Sequence, residues 1–201
     1  MKKILLTQRL DPVPGRDEKR DSVDFKWGAL LWENGFIPIP ACNGIKSVKE
    51  YLDAVDPQGI LISGGNNIGE EPDRDRLELA ALDYAEEHLI PVFGVCRGLQ
   101  IINHRQGGTL VKIENHTAVR HPARGSLLKK EREVNSYHNY GITADTLGKD
   151  LTVMAETSDG SVEALKHSDL PWLAVMWHPE RENPFDEDDL KIIKEHLGGN
   201  R

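Results

Sequence analysis

An open, mostly parallel α/β sheet with helices on both faces is the fold class this chain predicts, and three observations predict it. Apolar runs of strand length alternate with amphipathic segments of helix length through the first 107 residues, in the order β-α-β-α-β-α-β-α. Such alternation builds parallel pairs joined by crossover helices. The run GILI (59–62), like PVFGV (91–95), is apolar throughout rather than alternating, which is how a strand covered on both faces reads. After Gly108 the pattern breaks into shorter strands and turns, then returns to one apolar run and a closing helix, so a small antiparallel region is expected behind the fourth helix.

Each element has its own signal. KKILLTQ (2–8) reads as a first buried strand. Its two lysines and ILL resemble the start of a signal peptide, but that apolar run is far shorter than the ~7–15 residues of an h-region, and Thr7, Gln8 and Arg9 interrupt it. DPVPGRDEKRD (11–21), rich in Pro, Gly and charge, is expected to be a loop. SVDFKWGALLWEN (22–34) predicts a helix opened by Ser22, with Phe25, Trp27, Leu30 and Leu31 on one stripe, and stopped by Gly35. FIPIPA (36–41) predicts an edge strand, because its prolines cannot donate to a ladder. SVKEYLDAV (47–55) predicts a helix with Ser47 as cap and Glu50 at the capping-box position.

The run GILISGGNN ends in glycines as a buried parallel strand would, and residues 73–89 form an amphipathic helix pattern. PVFGVC is a further buried strand and RGLQIINHRQ (97–106) a helix. GTLVKI (108–113), LLKK (127–130), TVMAET (152–157) and SVEALKH (161–167) are short-strand candidates. LPWLAVMWHPE (170–180) restores a buried strand, and DEDDLKIIKEHLGG (186–199) is a helix with an acidic start and a glycine end.

Bulk properties bound the function. At 201 residues, 38% hydrophobic and 29% charged, the chain suits one globular domain over residues 1–201. Its net charge of −8 argues against nucleic acid and anionic membranes, which need a basic surface. Cys42 and Cys96 lie far apart without CxxC spacing, so neither a disulfide framework nor a thiolate zinc site is expected. No run approaches the ~18 apolar residues of a membrane helix, and a cytoplasmic home is expected.

The turn GVCRGLQ (94–100) carries the first chemical signal. Ligands of open α/β sheets bind beyond the carboxyl ends of the strands. Cys96 stands at such an end, between Gly94 and Gly98, where a helix begins at once. A G-x-nucleophile-x-G turn strains its central residue, lets strand and helix approach closely, and presents the side chain above the sheet. A helix N-terminus beneath it stabilises a thiolate, and the Arg97 amide points where an oxyanion would form. Buried packing is the ordinary use of a lone cysteine, and a phosphate-binding turn is another use of glycines. GVCRGLQ lacks both Gly-x-Gly-x-x-Gly and a P-loop lysine. Packing does not require both glycines, yet spacing alone leaves packing and catalysis open.

A thiol nucleophile needs a base, and the base an orienting group. Among eight histidines, His88 and His196 lie near helix C-termini, where a cation suits the dipole, and His104 lies on the helix after Cys96. His178 ends the apolar run LAVMW and should emerge at the same sheet edge as Cys96. Pro179 breaks that strand, and a turn there can carry Glu180 back beneath the imidazole. His116 and His121 in HTAVRH are five apart, not the i, i+4 of a helical zinc pair; no metal and no cofactor is expected.

Together these residues resemble the class I glutamine amidotransferases and their γ-glutamyl hydrolase-like branch. The family's elbow G-x-C-x-G-x-Q stands here as Gly94, Cys96, Gly98 and Gln100, and its distal H-x-E as His178 and Glu180. Its oxyanion-hole glycines match Gly64 and Gly65 in LISGGNN, NSYHNYGI (135–142) resembles its substrate-facing segment, and GGTLVKI the stretch after the elbow helix. The resemblance spans essentially the whole chain and implies a flavodoxin-like fold. It implies that Cys96 attacks a γ-glutamyl carbonyl, His178 shuttles the proton, and Glu180 orients His178. The amides of Gly65 and Arg97 would hold the oxyanion. Gly64, Gln100, Ser136, Tyr137 and His138 would bind the glutamyl group; without the resemblance, Gln100 reads as a solvated helix residue and 136–138 as a polar loop.

Within that branch, the short length, the TQRL start and the SGGNN loop look most like bacterial γ-glutamyl-CDP-amidate hydrolases. Those enzymes release glutamate and cytidine diphosphoramidate for surface-polysaccharide decoration. Arg9, Arg16, Lys19 and Arg20 stand near the first strand's carboxyl end, where cations such as Arg9 and Arg20 would meet an anionic leaving group. A solvated loop balanced by Asp11, Asp17, Glu18 and Asp21 explains them equally well. The alternatives are a glutaminase that passes ammonia to a separate synthetase, a hydrolase of γ-glutamyl polyamines, and a binding protein on the same fold. A small γ-glutamyl molecule is the expected partner in the hydrolase readings, and a homo-oligomer is compatible with the sequence.

Overall fold

The computed structural model describes residues 1–199. After β1 (Lys2–Leu6), the charged stretch expected as a loop closes instead into a hairpin, β2 (Arg9–Pro12) against β3 (Lys19–Ser22), with only its tip irregular. Charge does not prevent a surface ribbon, because its outward side chains remain in water. Ser22 therefore belongs to a strand and caps nothing. The helix α1 (Lys26–Glu33) starts later than expected, with the Lys26 amide donating to Asp24 Oδ1 at 3.0 Å. Trp27, Leu30 and Leu31 fill the core, but Phe25, expected on the same stripe, is 84% exposed. It precedes the helix, so helical periodicity does not govern it. Gly35, at φ +86°, ends α1 as expected.

The prolines of β4 (Phe36–Pro40) sit on an edge strand paired only with β1. α2 (Val48–Val55) follows Ser47, whose side chain makes no cap bond, so the expected capping box does not form. β5 (Gly59–Ile62), α3 (Pro72–His88), β6 (Val92–Val95) and α4 (Arg97–Arg105) complete the alternation. Every residue of β5 and β6 is buried. Full burial of one such aliphatic or aromatic side chain stabilises by about 1.5–3 kcal/mol, so the centre of the sheet is a rigid platform.

Beyond α4, GTLVKI shortens to β7 (Val111–Lys112), and LLKK forms no strand. A hairpin without a clean apolar alternation occupies this region instead, β8 (Thr117–Ala123) with β9 (Arg132–Tyr137), followed by β10 (Tyr140–Gly141) paired to β7. β11 (Leu151–Glu156), β12 (Val162–His167), β13 (Trp172–Val175) and α5 (Glu187–Gly198) close the chain. His196, near the end of α5, is buried against Val92 O, and burial lowers its pKa; it is not the dipole-stabilising cation expected there.

The main sheet has the order β11-β12-β13-β6-β5-β1-β4. Its last five strands run parallel, while β12 and β11 are antiparallel. This is the flavodoxin-like α/β architecture, with small antiparallel sheets beside it. The order places β6 between β5 and β13. Three neighbouring carboxyl ends thus deliver Ser63–Gly65, Cys96 and Trp177–Glu180 to one place. Among the described residues no helix is long and apolar enough to cross a membrane.

Candidate active site

Cys96 takes φ +52° and ψ −101° between β6 and α4, a conformation that costs a non-glycine residue about 1–3 kcal/mol. Close backbone packing imposes it. A Cβ on Gly98 would collide with the Ile62 carbonyl oxygen, and one on Gly94 would stand 2.7 Å from the Gly98 carbonyl carbon. Both glycines are therefore demanded by the contact of β5, β6 and α4. The Cys96 amide donates to Val175 O at 2.8 Å, tying the turn to the neighbouring strand.

His178 leaves that strand three residues later. Its Nδ1 is 2.7 Å from Glu180 Oε1, so Nε2 is the nitrogen left for the thiol. The two catalytic candidates adjoin: a Cβ on Gly64 would lie 2.8 Å from His178 Cε1 and 3.6 Å from Cys96 Cβ. The imidazole and its carboxylate are both buried. Burial opposes a charge on His178, but the Cys96 thiolate and the Glu180 carboxylate outweigh it and push its pKa up to about 9. A thiolate–imidazolium pair is the state these interactions favour. Asn135 holds the His178 backbone in place, a contact that sequence reading did not single out.

The loop after β5 turns at Gly65, whose φ is +114°. Arg97 opens α4 at a position where a helix offers its amide no acceptor, so the Arg97 amide and the Gly65 turn flank Cys96. Sequence reading missed what lies beneath. The Arg97 side chain is buried and paired with Glu78 and Asp75. Buried Arg74 donates to Glu78 Oε1 at 2.9 Å, Ser63 O at 2.8 Å and Gly64 O at 3.0 Å. Thr7 Oγ1 also donates to Glu78 Oε1, at 2.8 Å. Burial presses both guanidinium groups toward neutrality and each repels other arginines nearby; the carboxylates keep them charged. The i, i+4 spacing of Arg74 and Glu78 was the available signal, but such pairs usually face water.

Cys96, His178, Gln100, Tyr137 and His138 line a cavity of about 380 Å³. Gln100 is anchored by Nε2 donating to Tyr140 O at 2.8 Å. Tyr137 stands edge-on to His178, with the Arg181 guanidinium 4.2 Å from its ring centre. Ser136 does not line this cavity: its hydroxyl is buried and donates to His116 O at 2.6 Å. A second cavity of about 450 Å³ shares Arg9, Gly65, His178 and Arg181, and is closed by Trp27 and the exposed Phe25. Of the four cations expected near a leaving group, Arg9 reaches these walls; Arg20 and Arg16 turn to Glu18, and Lys19 to Glu71. The hairpin carries them outward. Arg181, next to the distal glutamate, is the second cation at the site.

Comparison with known proteins agrees with this arrangement. The family model described as glutamine amidotransferase class-I matches residues 39–194. A γ-glutamyl-CDP-amidate hydrolase of Campylobacter jejuni is 32% identical over 203 residues, covering 96% of each chain. The anthranilate synthase component 2 of Azospirillum brasilense is 34% identical over 79% of this chain and 82% of its own. A crystal structure described as a GMP synthase protein from Thermoplasma acidophilum superposes with a TM-score of 0.74 at 25% identity, over 98% of this chain and 93% of that one. With the elbow, the distal histidine–glutamate pair and the sheet order in place, the chain belongs to the class-I glutamine amidotransferase family.

Proposed function

We propose that this protein is a cysteine hydrolase of γ-glutamyl amides. The observation that carries the reading is the placing of His178 against Glu180 on one side and Cys96 on the other, beside the amides of the Gly65 turn and Arg97. Cys96 Sγ attacks the γ-carbonyl carbon, and its proton resides on His178 Nε2. The oxyanion takes the Gly65 and Arg97 amides. The C–N bond breaks as His178 returns the proton to the leaving nitrogen, leaving a γ-glutamyl thioester. Water, deprotonated by His178, then attacks the thioester carbon, and glutamate departs as Cys96 regains its thiolate. Gln100 and Tyr137 are the cavity residues assigned to the glutamyl end.

The leaving group we assign is a nucleoside diphosphoramidate, as in γ-glutamyl-CDP-amidate. Supporting this are the two guanidinium groups of Arg9 and Arg181 on the second cavity, which suit a diphosphate, and Phe25, an exposed aromatic edge on which a base would stack. Cleavage of such a substrate consumes one water and yields glutamate and the free phosphoramidate, with nitrogen kept on phosphorus. The test is glutamate release by the purified protein alone from γ-glutamyl-CDP-amidate, a γ-glutamyl polyamine and glutamine. Preferred turnover of the nucleotide compound is expected. Turnover of glutamine alone, and only with a synthetase added, would instead identify an ammonia-delivering component.

A further inference from the structure

Behind the wall that carries His138, three histidines converge on a carboxylate that the thiol chemistry does not use. His116 precedes β8, His121 lies within it, His138 follows β9, and Glu163 is on β12. Positions five apart in a regular strand face opposite ways. Here the register shifts between Thr117 and Val119, with Ala118 at φ +55°, and this bulge turns His116 and His121 to the same side. Their ring centres lie 4.6 Å apart, and those of His116 and His138 5.0 Å. Glu163 is fully buried, and His116 and His138 are each 4% exposed.

The hydrogen bonds at the back of two rings determine what they present at the front. His138 Nδ1 is 3.0 Å from Tyr140 O. A carbonyl only accepts, so Nδ1 holds the proton and Nε2 a lone pair. His116 Nε2 is 2.9 Å from Asp159 Oδ2, which by the same reasoning leaves a lone pair on Nδ1. These bare nitrogens face Glu163 Oε1 at 3.7 and 3.9 Å, and His121 Nε2 approaches it at 3.3 Å. All three nitrogens and both Glu163 oxygens are buried without a hydrogen-bond partner among the described residues.

Lone pairs aimed at an anion in a dry interior repel one another unless a cation stands between them. Two of the three separations exceed the ~2.7–3.2 Å of a direct N–H···O bond. Two donors each about 2.0–2.1 Å from one tetrahedral ion stand about 3.4 Å apart, and the donor atoms of His116, His138 and Glu163 all lie within 4.8 Å of one another. Imidazole-rich donor sets favour zinc and its transition-metal neighbours over magnesium and calcium. Ligating histidines characteristically donate their other N–H to a carboxylate or carbonyl, as His116 and His138 do here.

We propose that His116, His138 and Glu163, with His121 as a further donor, form a buried binding site for a zinc-type divalent cation. The site joins the β8–β9 hairpin to β12 and anchors the segment that lines the Cys96 cavity. It departs from the metal-free expectation drawn from the sequence, because the helical spacing rule does not apply to a bulged strand.

The test uses the full-length Cys96→Ser protein, so that the thiol at the other site holds no metal. It is stripped with a chelator and titrated with Zn²⁺ alone, following uptake by elemental analysis and the thermal midpoint. One equivalent per chain and a raised midpoint are expected, with a tetrahedral absorption spectrum when Co²⁺ replaces Zn²⁺. Adding Glu163→Gln should abolish stoichiometric uptake. Asp159→Asn, at a half-exposed position that leaves folding untouched, should weaken affinity about 10- to 100-fold. Absence of stoichiometric uptake, or affinity unchanged in both variants, overturns the proposal. So does a midpoint that responds to pH but neither to Zn²⁺ nor to chelator, which would mean protons alone hold the cluster.

Discussion

Asn135 grips the backbone of His178 from both sides. Its Oδ1 accepts the His178 amide at 2.9 Å, and its Nδ2 donates to the His178 carbonyl at 2.9 Å. The imidazole is thereby held by a side chain from the β8–β9 hairpin as well as by its own strand. Asn135→Ala frees that turn, and misplacement of a catalytic group by about 1 Å can cost about 100-fold. A fall in kcat of up to that size is expected, with KM changed little. Equal kcat in the variant would deny Asn135 its positioning role.

Cys96→Ser should eliminate glutamate release while keeping the thermal midpoint, because serine fits the same turn. It should also change His178. The thiolate is the largest of the contributions raising that imidazole, so its titration, followed by NMR of the ring nitrogens, should move below the wild-type value of about 9. A wild-type imidazole that titrates at its ordinary value would contradict the ion pair.

The pH profile follows from the same residue. His178 must hold a proton to release the leaving nitrogen, and its pKa is raised, so kcat/KM should fall as pH climbs through about 9. Glu180 contributes to that elevation. In Glu180→Gln the alkaline limb should therefore shift to lower pH, alongside a loss of rate. A limb that stays in place would show that Glu180 does not set the proton affinity of His178.

Glu78 is the hub of the buried pairs under the oxyanion loop, contacting Arg74, Arg97 and Thr7. Removing one partner of a buried ion pair typically costs about 3–5 kcal/mol, since the other charge is left uncompensated. Glu78→Gln should lose about that much in denaturant unfolding. A loss below about 1 kcal/mol would mean that water reaches the arginines.

Much of this molecule was legible in local pattern. Unbroken apolar runs marked β5 and β6, the prolines of 36–40 marked an edge, and two glycines around Cys96 announced a backbone contact that the Ile62 carbonyl now explains. Such features are governed by burial, ring geometry and hard-sphere limits, which act within a few residues. The hairpin over 9–22, the exposure of Phe25 and the turning of Ser136 away from the cavity were not legible. Side-chain type alone does not say which strand pairs with which, or which face meets water.

Sequence by itself determined the alternating α/β plan, the strained cysteine turn and the H-P-E turn, because each depends on neighbours along the chain. Only the tertiary structure decided that β13 lies beside β6, so that residues 96 and 178 meet. It alone decided that Arg74, Glu78 and Arg97 share one dry pocket, and that a bulge in β8 aims two histidines at Glu163. Strand order, burial and register are set by long-range packing, and electrostatics in a dry interior acts between residues that the linear sequence keeps far apart.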